Sequence, residues 1–194
     1  MIISIITVVY NGKEFIEETI KSIISQDYPS IEYIVVDGNS NDGTFEILQK
    51  YKKNIDILIR ENDEGQTDAL IKGISASRGQ YVCWLNYDDL FYEYNSISKL
   101  VNFISKNPNH DLYYGDDILI DRDKKVLKKR SFKKMNFNTL LKIKSISQPA
   151  SIFSKEMFEK YGLDKNLTYS MDLDFFLKIF KSERPLYVNF TVAL

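Results

Sequence analysis

Five aspartates stand where side-chain chemistry is to be expected. Asp37 closes the apolar run IEYIVVD (31–37), Asp88 and Asp89 follow YVCWLN (81–86), and Asp172 and Asp174 open the stretch SMDLDFFLKIFK (170–181). Carboxylates at the ends of strands can hold a hard cation, accept hydrogen bonds from hydroxyls or ring N–H groups, or take a proton as general base. Side chains alternate along a strand, so Asp88 and Asp89 must diverge. One of them can reach an ion while the other accepts hydrogen bonds, for example from ribose hydroxyls. The scarce residues narrow the chemistry further. Cys83 is the one cysteine and His110 the one histidine, so the chain forms no internal disulfide and no zinc site of the usual Cys and His ligands. A metal must then be held by oxygen, which points to Mg²⁺ or Mn²⁺. Neither GxGxxG after the first strand nor GxxxxGK[ST] occurs, and Gly65, Gly73 and Gly79 fit neither spacing.

The elements that must position these residues read as follows. IISIITVVY (2–10) is almost wholly apolar, as suits a central parallel strand, and Asn11-Gly12 breaks it. KEFIEETIKSIISQDY carries Phe15, Ile16, Ile20, Ile23 and Ile24 at helical spacing. After the strand 31–37 comes the turn-rich GNSNDG, with Asp42 placed to cap a helix bearing Phe45, Ile47, Leu48 and Tyr51. A third strand spans 55–60, a helix follows the polar loop ENDEGQ, and a fourth strand spans 81–86. Strands alternating with helices predict an α/β fold with a mostly parallel sheet and ligands at the carboxyl ends of its strands. In the second half, 96–105, NFNTLLKI, SKEMFEKYG and 170–181 read as helices, with Gly162 as a helix stop. LYYGDDILID, KVLKKRSF and PLYVNFTVAL read as strands.

With 194 residues, 44% of them apolar and 27% charged, the chain is expected to form one soluble domain. A formal net charge of −1 leaves no field to attract nucleic acid. The N-terminus lacks a basic leader, and its apolar run is too short for a bilayer, so a cytoplasmic location is expected. Lys124, Lys125, Lys128, Lys129, Arg130, Lys133 and Lys134 form a basic run. It reads first as a solvated hairpin and, more sharply, as peripheral attachment to an anionic membrane.

Four stretches together resemble the family 2 glycosyltransferases. SIITVVYNG (4–12) looks like the family's opening strand, and IEYIVVDGNSNDGT (31–44) is similar to its second strand and acidic turn. ENDEGQTDALIKGISASRGQYVCWLNYDD (61–89) resembles the approach to its metal-binding acids. QPASIFSKEMFEKYGLDKNLTYSMDLDFFLKI (148–179) resembles the segment that bears its base. The resemblance implies a glycosyltransferase A fold, with a nucleotide-sugar half (1–90) and an acceptor-side half (91–194) that ends early relative to the family. It implies an inverting, metal-dependent transfer from a nucleotide-diphosphate sugar, a UDP-sugar by preference, to a hydroxyl of a polysaccharide, glycolipid or similar acceptor. Under it Thr7, Val9, Tyr10 and Asn11 border the base and Asp37 accepts from a ring N–H. Asp88 meets the ribose or donor sugar, Asp68 lies near the donor, Asp89 holds Mg²⁺ or Mn²⁺, and Asp172 is the base. Met171 stands where many members carry Glu. Arg78 is a weaker candidate for the diphosphate and Gln148 for the acceptor side; Asp174 is the less favoured base. Two alternatives stay open: a nucleotidyltransferase that makes nucleotide sugars, for which the loop Tyr10-Asn11-Gly12-Lys13 is short, and a non-catalytic nucleotide-sugar binding module.

Overall fold

A computed structural model describes residues 1–133, 135–143 and 146–194. Strand β1 (Ile3–Val9) is buried at every position and lies in the middle of the sheet. It pairs in parallel with β2 (Ile31–Asp37) on one side and β4 (Tyr81–Asn86) on the other, and β3 (Ile57–Arg60) adds in parallel to β2. The crossovers are α1 (Ile16–Ile24), α2 (Thr44–Lys50) with a short 3-10 turn (Lys52–Asn54), and α3 (Gln66–Ala76). This is the βα alternation expected from the spacing of apolar runs, and it brings the ends of β1, β2 and β4 to one edge.

The second half extends the same sheet. After α4 (Ser96–Lys106) come β5 (Leu112–Ile120), β6 (Val126–Arg130), α5 (Phe137–Ile143), β7 (Ser151–Ser154), α6 (Lys155–Tyr161), α7 (Met171–Ser182) and β8 (Leu186–Ala193). The order is β3-β2-β1-β4-β7-β5-β6, with β8 on β5. Strand β7 runs antiparallel to both β4 and β5, and β6 antiparallel to β5, while β8 is parallel to β5. Only β6 and β7 therefore oppose the common direction, and the sheet is mostly parallel, as expected. The short β7 was not among the strands expected from sequence.

Each face of the sheet carries its own core. Ile3, Ile5 and Val9 point with Tyr33 and Val35 toward α1, α2 and α4. Ile6 and Val8 point with Ile34, Val36 and Trp84 toward α3, α6 and α7. Helix α3 lies very close to β1: a Cβ on Gly73 would meet Ile6 Cγ2 at 2.6 Å. Gly162, at φ 58°, ends α6 as the sequence indicated. Strand β6 is exposed over most of its length and forms an edge of the sheet. Among the described residues no helix is long and apolar enough to cross a membrane.

Candidate active site

The turn after β1 is clipped to the loop after β2. Asn11, at φ 54°, donates its N–H to Ser40 Oγ (2.9 Å) and accepts from Asn41 N on Oδ1 (3.0 Å). Gly12 N donates to Thr44 Oγ1 (2.9 Å) and Lys13 N to Asp42 Oδ2 (3.0 Å). Asp42 also accepts from Thr44 N and Oγ1 at the start of α2, close to the capping role expected of it. Orphan donors of a turn and a helix end are thus satisfied from one loop. Tyr10 projects from this clipped turn and is 60% exposed.

Asp37 lies fully buried beneath the turn. Its Oδ1 accepts from Ser40 N (2.9 Å), and Arg60 Nε lies 3.2 Å from Oδ2. Among the described residues no hydrogen bond reaches Oδ2. A buried carboxylate oxygen that is ion-paired but accepts no hydrogen bond still has room for an incoming N–H. Beside it, Gly38 lets Asp63 and Tyr10 approach closely: a Cβ there would meet Asp63 Oδ2 at 2.5 Å and Tyr10 Cδ2 at 3.4 Å.

A cavity of about 430 Å³ opens at this edge, walled by Val9, Tyr10, Asp63, Gln66, Asn86 and Asp88 among others. The start of α3 stands in its wall, where free N–H groups favour an anionic ligand. Asp88 is exposed and also borders a smaller cavity of about 170 Å³ with Glu18, Arg122 and Lys124. Asp89 is turned the other way. Its Oδ2 accepts from Asn86 N (3.1 Å) and Asn86 Nδ2 (3.0 Å), and it lines neither cavity. Burial and the neighbouring Asp88 charge push its carboxyl up to about 7 against the opposing pull of those bonds. The expected division placed the ion on Asp89; the side chains diverge as alternation requires, with Asp88 on the cavity wall and Asp89 bonded to Asn86. Asp88 presents the open carboxylate, and Asp89 braces the turn.

No three of the described His, Cys, Asp and Glu side chains gather as a ready metal cage. One exposed carboxylate on a cavity wall still fits Mg²⁺ or Mn²⁺, which commonly take one or two carboxylates and complete their shell with substrate phosphates and water.

Asp172 lies in a neighbouring cavity of about 170 Å³ with Gln66, Trp84, Asn86, Gln148, Tyr169 and Met171. It is half-buried in the first turn of α7, and burial raises its carboxyl above the ordinary value. Asp174, by contrast, pairs with Lys178 (2.7 Å) and lines neither cavity. Trp84 anchors the helix: Phe176 stacks on it at 6.3 Å and Phe175 tilts against it at 6.4 Å. The strand that ends in Asn86 and leads to Asp88 thus also fixes the helix that carries Asp172.

The remaining expected residues divide. Val9, Tyr10 and Asp88 line the larger cavity, and Asn11 holds the turn. Thr7 is fully buried inside β1, with its hydroxyl facing Tyr33 OH at 3.3 Å, and offers no surface to a ligand. Asp68 is a strut. Its Oδ1 accepts from Lys165 Nζ (2.6 Å), Lys72 Nζ lies 2.9 Å from Oδ2, and neighbouring Thr67 donates to Leu167 O (2.9 Å). Those bonds tie α3 to the segment before α7. Arg78 binds Glu32 (2.7 Å) at the opposite end of the sheet and cannot reach a diphosphate. His110 has Nδ1 2.6 Å from Arg184 O, and Cys83 is core, its thiol pushed up to about 12 by burial. In the basic run, Arg130 pairs with buried Asp117 and Lys124 with Glu18, while Lys134 lies outside the described residues. Gln66 and Asn86 were missed. Neutral amides carry no charge signal, and Gln66 sat unremarked in the polar loop ENDEGQ.

The comparisons with known proteins bear on the family and the fold. The family model for glycosyl transferase family 2 matches residues 4–162. A glycosyltransferase of Rickettsia prowazekii is 32% identical over 189 residues, covering 93% of this chain and 59% of its own. The putative teichuronic acid biosynthesis glycosyltransferase TuaG of Bacillus subtilis is 38% identical over 91 residues, 45% of this chain and 36% of its own. Among solved structures, TarS 1-349 of S. aureus in complex with UDP-GlcNAc superposes with a TM-score of 0.81 at 20% identity, over 98% of this chain and 58% of that one. The mannosyltransferase PcManGT of Pyrobaculum calidifontis, in complex with GDP-Man and Mn²⁺, gives 0.72 at 19% identity over 98% and 55%. The chain spans about three fifths of the length of the Rickettsia relative. Its fold is that of these glycosyltransferases, and the chain belongs to glycosyl transferase family 2.

Proposed function

We propose that the chain transfers a sugar from a nucleotide-diphosphate donor to a hydroxyl of a glycan or glycolipid acceptor, with inversion in one displacement. The observation that carries this reading is the adjacency of two cavities. One holds the open carboxylate Asp88, the other holds Asp172, and Gln66 and Asn86 belong to both walls. The UDP-GlcNAc bound to TarS and the GDP-Man and Mn²⁺ bound to PcManGT support a nucleotide-sugar donor and a divalent ion.

In this reading Tyr10 lies against the base, and Oδ2 of Asp37, ion-paired with Arg60 but without a hydrogen bond among the described residues, accepts a ring N–H. Asp88 would hold Mg²⁺ or Mn²⁺, with the diphosphate and water completing its shell. The ion, when bound, neutralises the charge that develops on the departing diphosphate. Asp172 takes the proton of the acceptor hydroxyl as its oxygen bonds to the anomeric carbon and the bond to the diphosphate breaks. Raised basicity from burial suits that task. Gln148, bonded to Trp84 O and Asn86 Nδ2 of β4, would stand on the acceptor side.

The test combines a thermal-shift screen of UDP, GDP and dTDP with Mn²⁺ and a transfer or donor-hydrolysis assay. A ligand that binds only the folded chain raises its melting temperature by mass action. The reading requires one nucleotide to shift it, and Asp172→Asn to keep that shift while losing turnover. Full turnover by Asp172→Asn would remove the base assignment.

A further inference from the structure

The two cavities are separated by a single side-chain contact. Gln66 Nε2 donates to Asn86 Oδ1 at 2.6 Å, and among the described residues no other belongs to both walls. Asn86 is held from two further directions. Its Nδ2 donates to Asp89 Oδ2 (3.0 Å) and to Gln148 Oε1 (3.1 Å). Gln148 in turn donates Nε2 to Trp84 O (2.5 Å), on the same strand as Asn86. Three amides thus form a chain from the start of α3, across the end of β4, to the segment before β7.

Any sugar that leaves a nucleotide in the larger cavity for an acceptor beside Asp172 must pass this contact. The amides there each carry a donor and an acceptor, which suits hydroxyl groups better than phosphate. A residue in the wall of the Asp172 cavity also carries a buried donor whose need is unmet. Trp84, 2% exposed, belongs to its wall, and among the described residues its indole N–H has no hydrogen-bond partner. A polyhydroxylated ligand supplies oxygen acceptors of that kind.

We propose that Gln66 and Asn86 are the sugar-reading residues of this site, and that Gln148 is a positioning residue that holds Asn86 for them. The proposal rests on the nucleotide-sugar reading above. Gln66 exchanges its bond to Asn86 for a sugar hydroxyl, so the contact that divides the cavities in the free protein becomes the cradle of the transferred sugar. Asn86, braced by Asp89 and Gln148, keeps its orientation through the exchange.

Gln66→Met keeps the length of the side chain and removes its amide. Calorimetry with Mn²⁺ would compare UDP with UDP-GlcNAc and GDP with GDP-mannose, for the wild type, Gln66→Met and Gln148→Leu. In Gln66→Met the affinity for the nucleoside diphosphate should change by less than about twofold. That for the nucleotide sugar should fall about tenfold, the scale of one lost hydrogen bond in a fully desolvated site. Gln148→Leu touches no wall of the nucleotide cavity. It should lower kcat severalfold with the nucleoside-diphosphate affinity unchanged. Three results would overturn the proposal. One is an equal loss of both ligands with a lowered melting temperature, which marks a structural role. Another is wild-type behaviour of both variants. The last is a wild type that binds none of the four probes, which removes the reading beneath it as well. Wild-type binding with unaffected variants leaves that reading standing, so the two failures are distinct.

Discussion

Asn86 Nδ2 lies 3.0 Å from Asp89 Oδ2, and with the Asn86 backbone N–H it turns the second carboxylate of the Asp88-Asp89 pair away from the cavity that the first one lines. The two acids should therefore fail differently. Asp88→Asn should abolish the Mn²⁺ dependence of nucleotide binding. Asp89→Asn should weaken it by roughly 10–100-fold, as changes behind a metal ligand do. Calorimetry of UDP with and without Mn²⁺ separates the outcomes; an equal or reversed order would return the ion to Asp89.

Under the proposed mechanism Asp172 should govern the acid side of the pH profile. A general base must be deprotonated to act, and burial raises its carboxyl above the ordinary value. The rate should therefore fall with acidification through a pKa above that of an exposed aspartate. Asp172→Asn should lower kcat by about 10²–10⁴-fold and remove that limb, with donor affinity little changed. A residual limb of the same midpoint in the variant would assign it to another group.

Asp68 should matter to stability rather than to binding. Lys165 and Lys72 hold its carboxyl well below the usual carboxylate range, and the group is buried. A depressed folded-state value adds stability that is complete above the unfolded aspartate pKa, near 3.9, and is lost as pH falls toward the folded value. Asp68→Asn should lower Tm by about 3–6 °C at pH 7, and the deficit should shrink below about pH 4. A deficit that stays constant down to pH 2 would contradict the ion-pair account.

Gly38 tests where the nucleoside sits. A Cβ there would stand 2.5 Å from Asp63 Oδ2 and against Tyr10, so Gly38→Ala narrows the floor beside Asp37. The expected result is a fall of about tenfold in nucleoside-diphosphate affinity, with Tm within roughly 3 °C of the wild type. Unchanged affinity would move the base away from Asp37.

The α/β alternation was legible because β1 to β4 are continuous apolar runs and α1 to α3 carry apolar stripes. Strand β7 was not legible. Four residues between a turn and a helix carry no period, and their pairing with β4 and β5 is set by contacts far away in the chain. Alternation told that Asp88 and Asp89 diverge, but the direction is decided by the side chain of Asn86. Thr7 shows the opposite error. The resemblance placed it at the site through its position on β1, whereas its side chain faces the Tyr33 layer. Asp68 and Lys72, four apart on α3, can pair locally, yet the third partner, Lys165, lies nearly a hundred residues on, and no local pattern announces it.

The open edge formed by β6 has a consequence for solubility. An exposed strand offers unpaired N–H and C=O groups to any other chain, and apolar Val126 and Leu127 stand 52% and 64% exposed there. Lys125, Lys128 and Lys129 flank them on the same short arm. Edge lysines oppose strand-to-strand pairing between molecules, because a partner would have to desolvate and crowd like charges. The basic run thereby acts as a guard against self-association, and neutralising it should cost the protein its dispersal before it costs the fold.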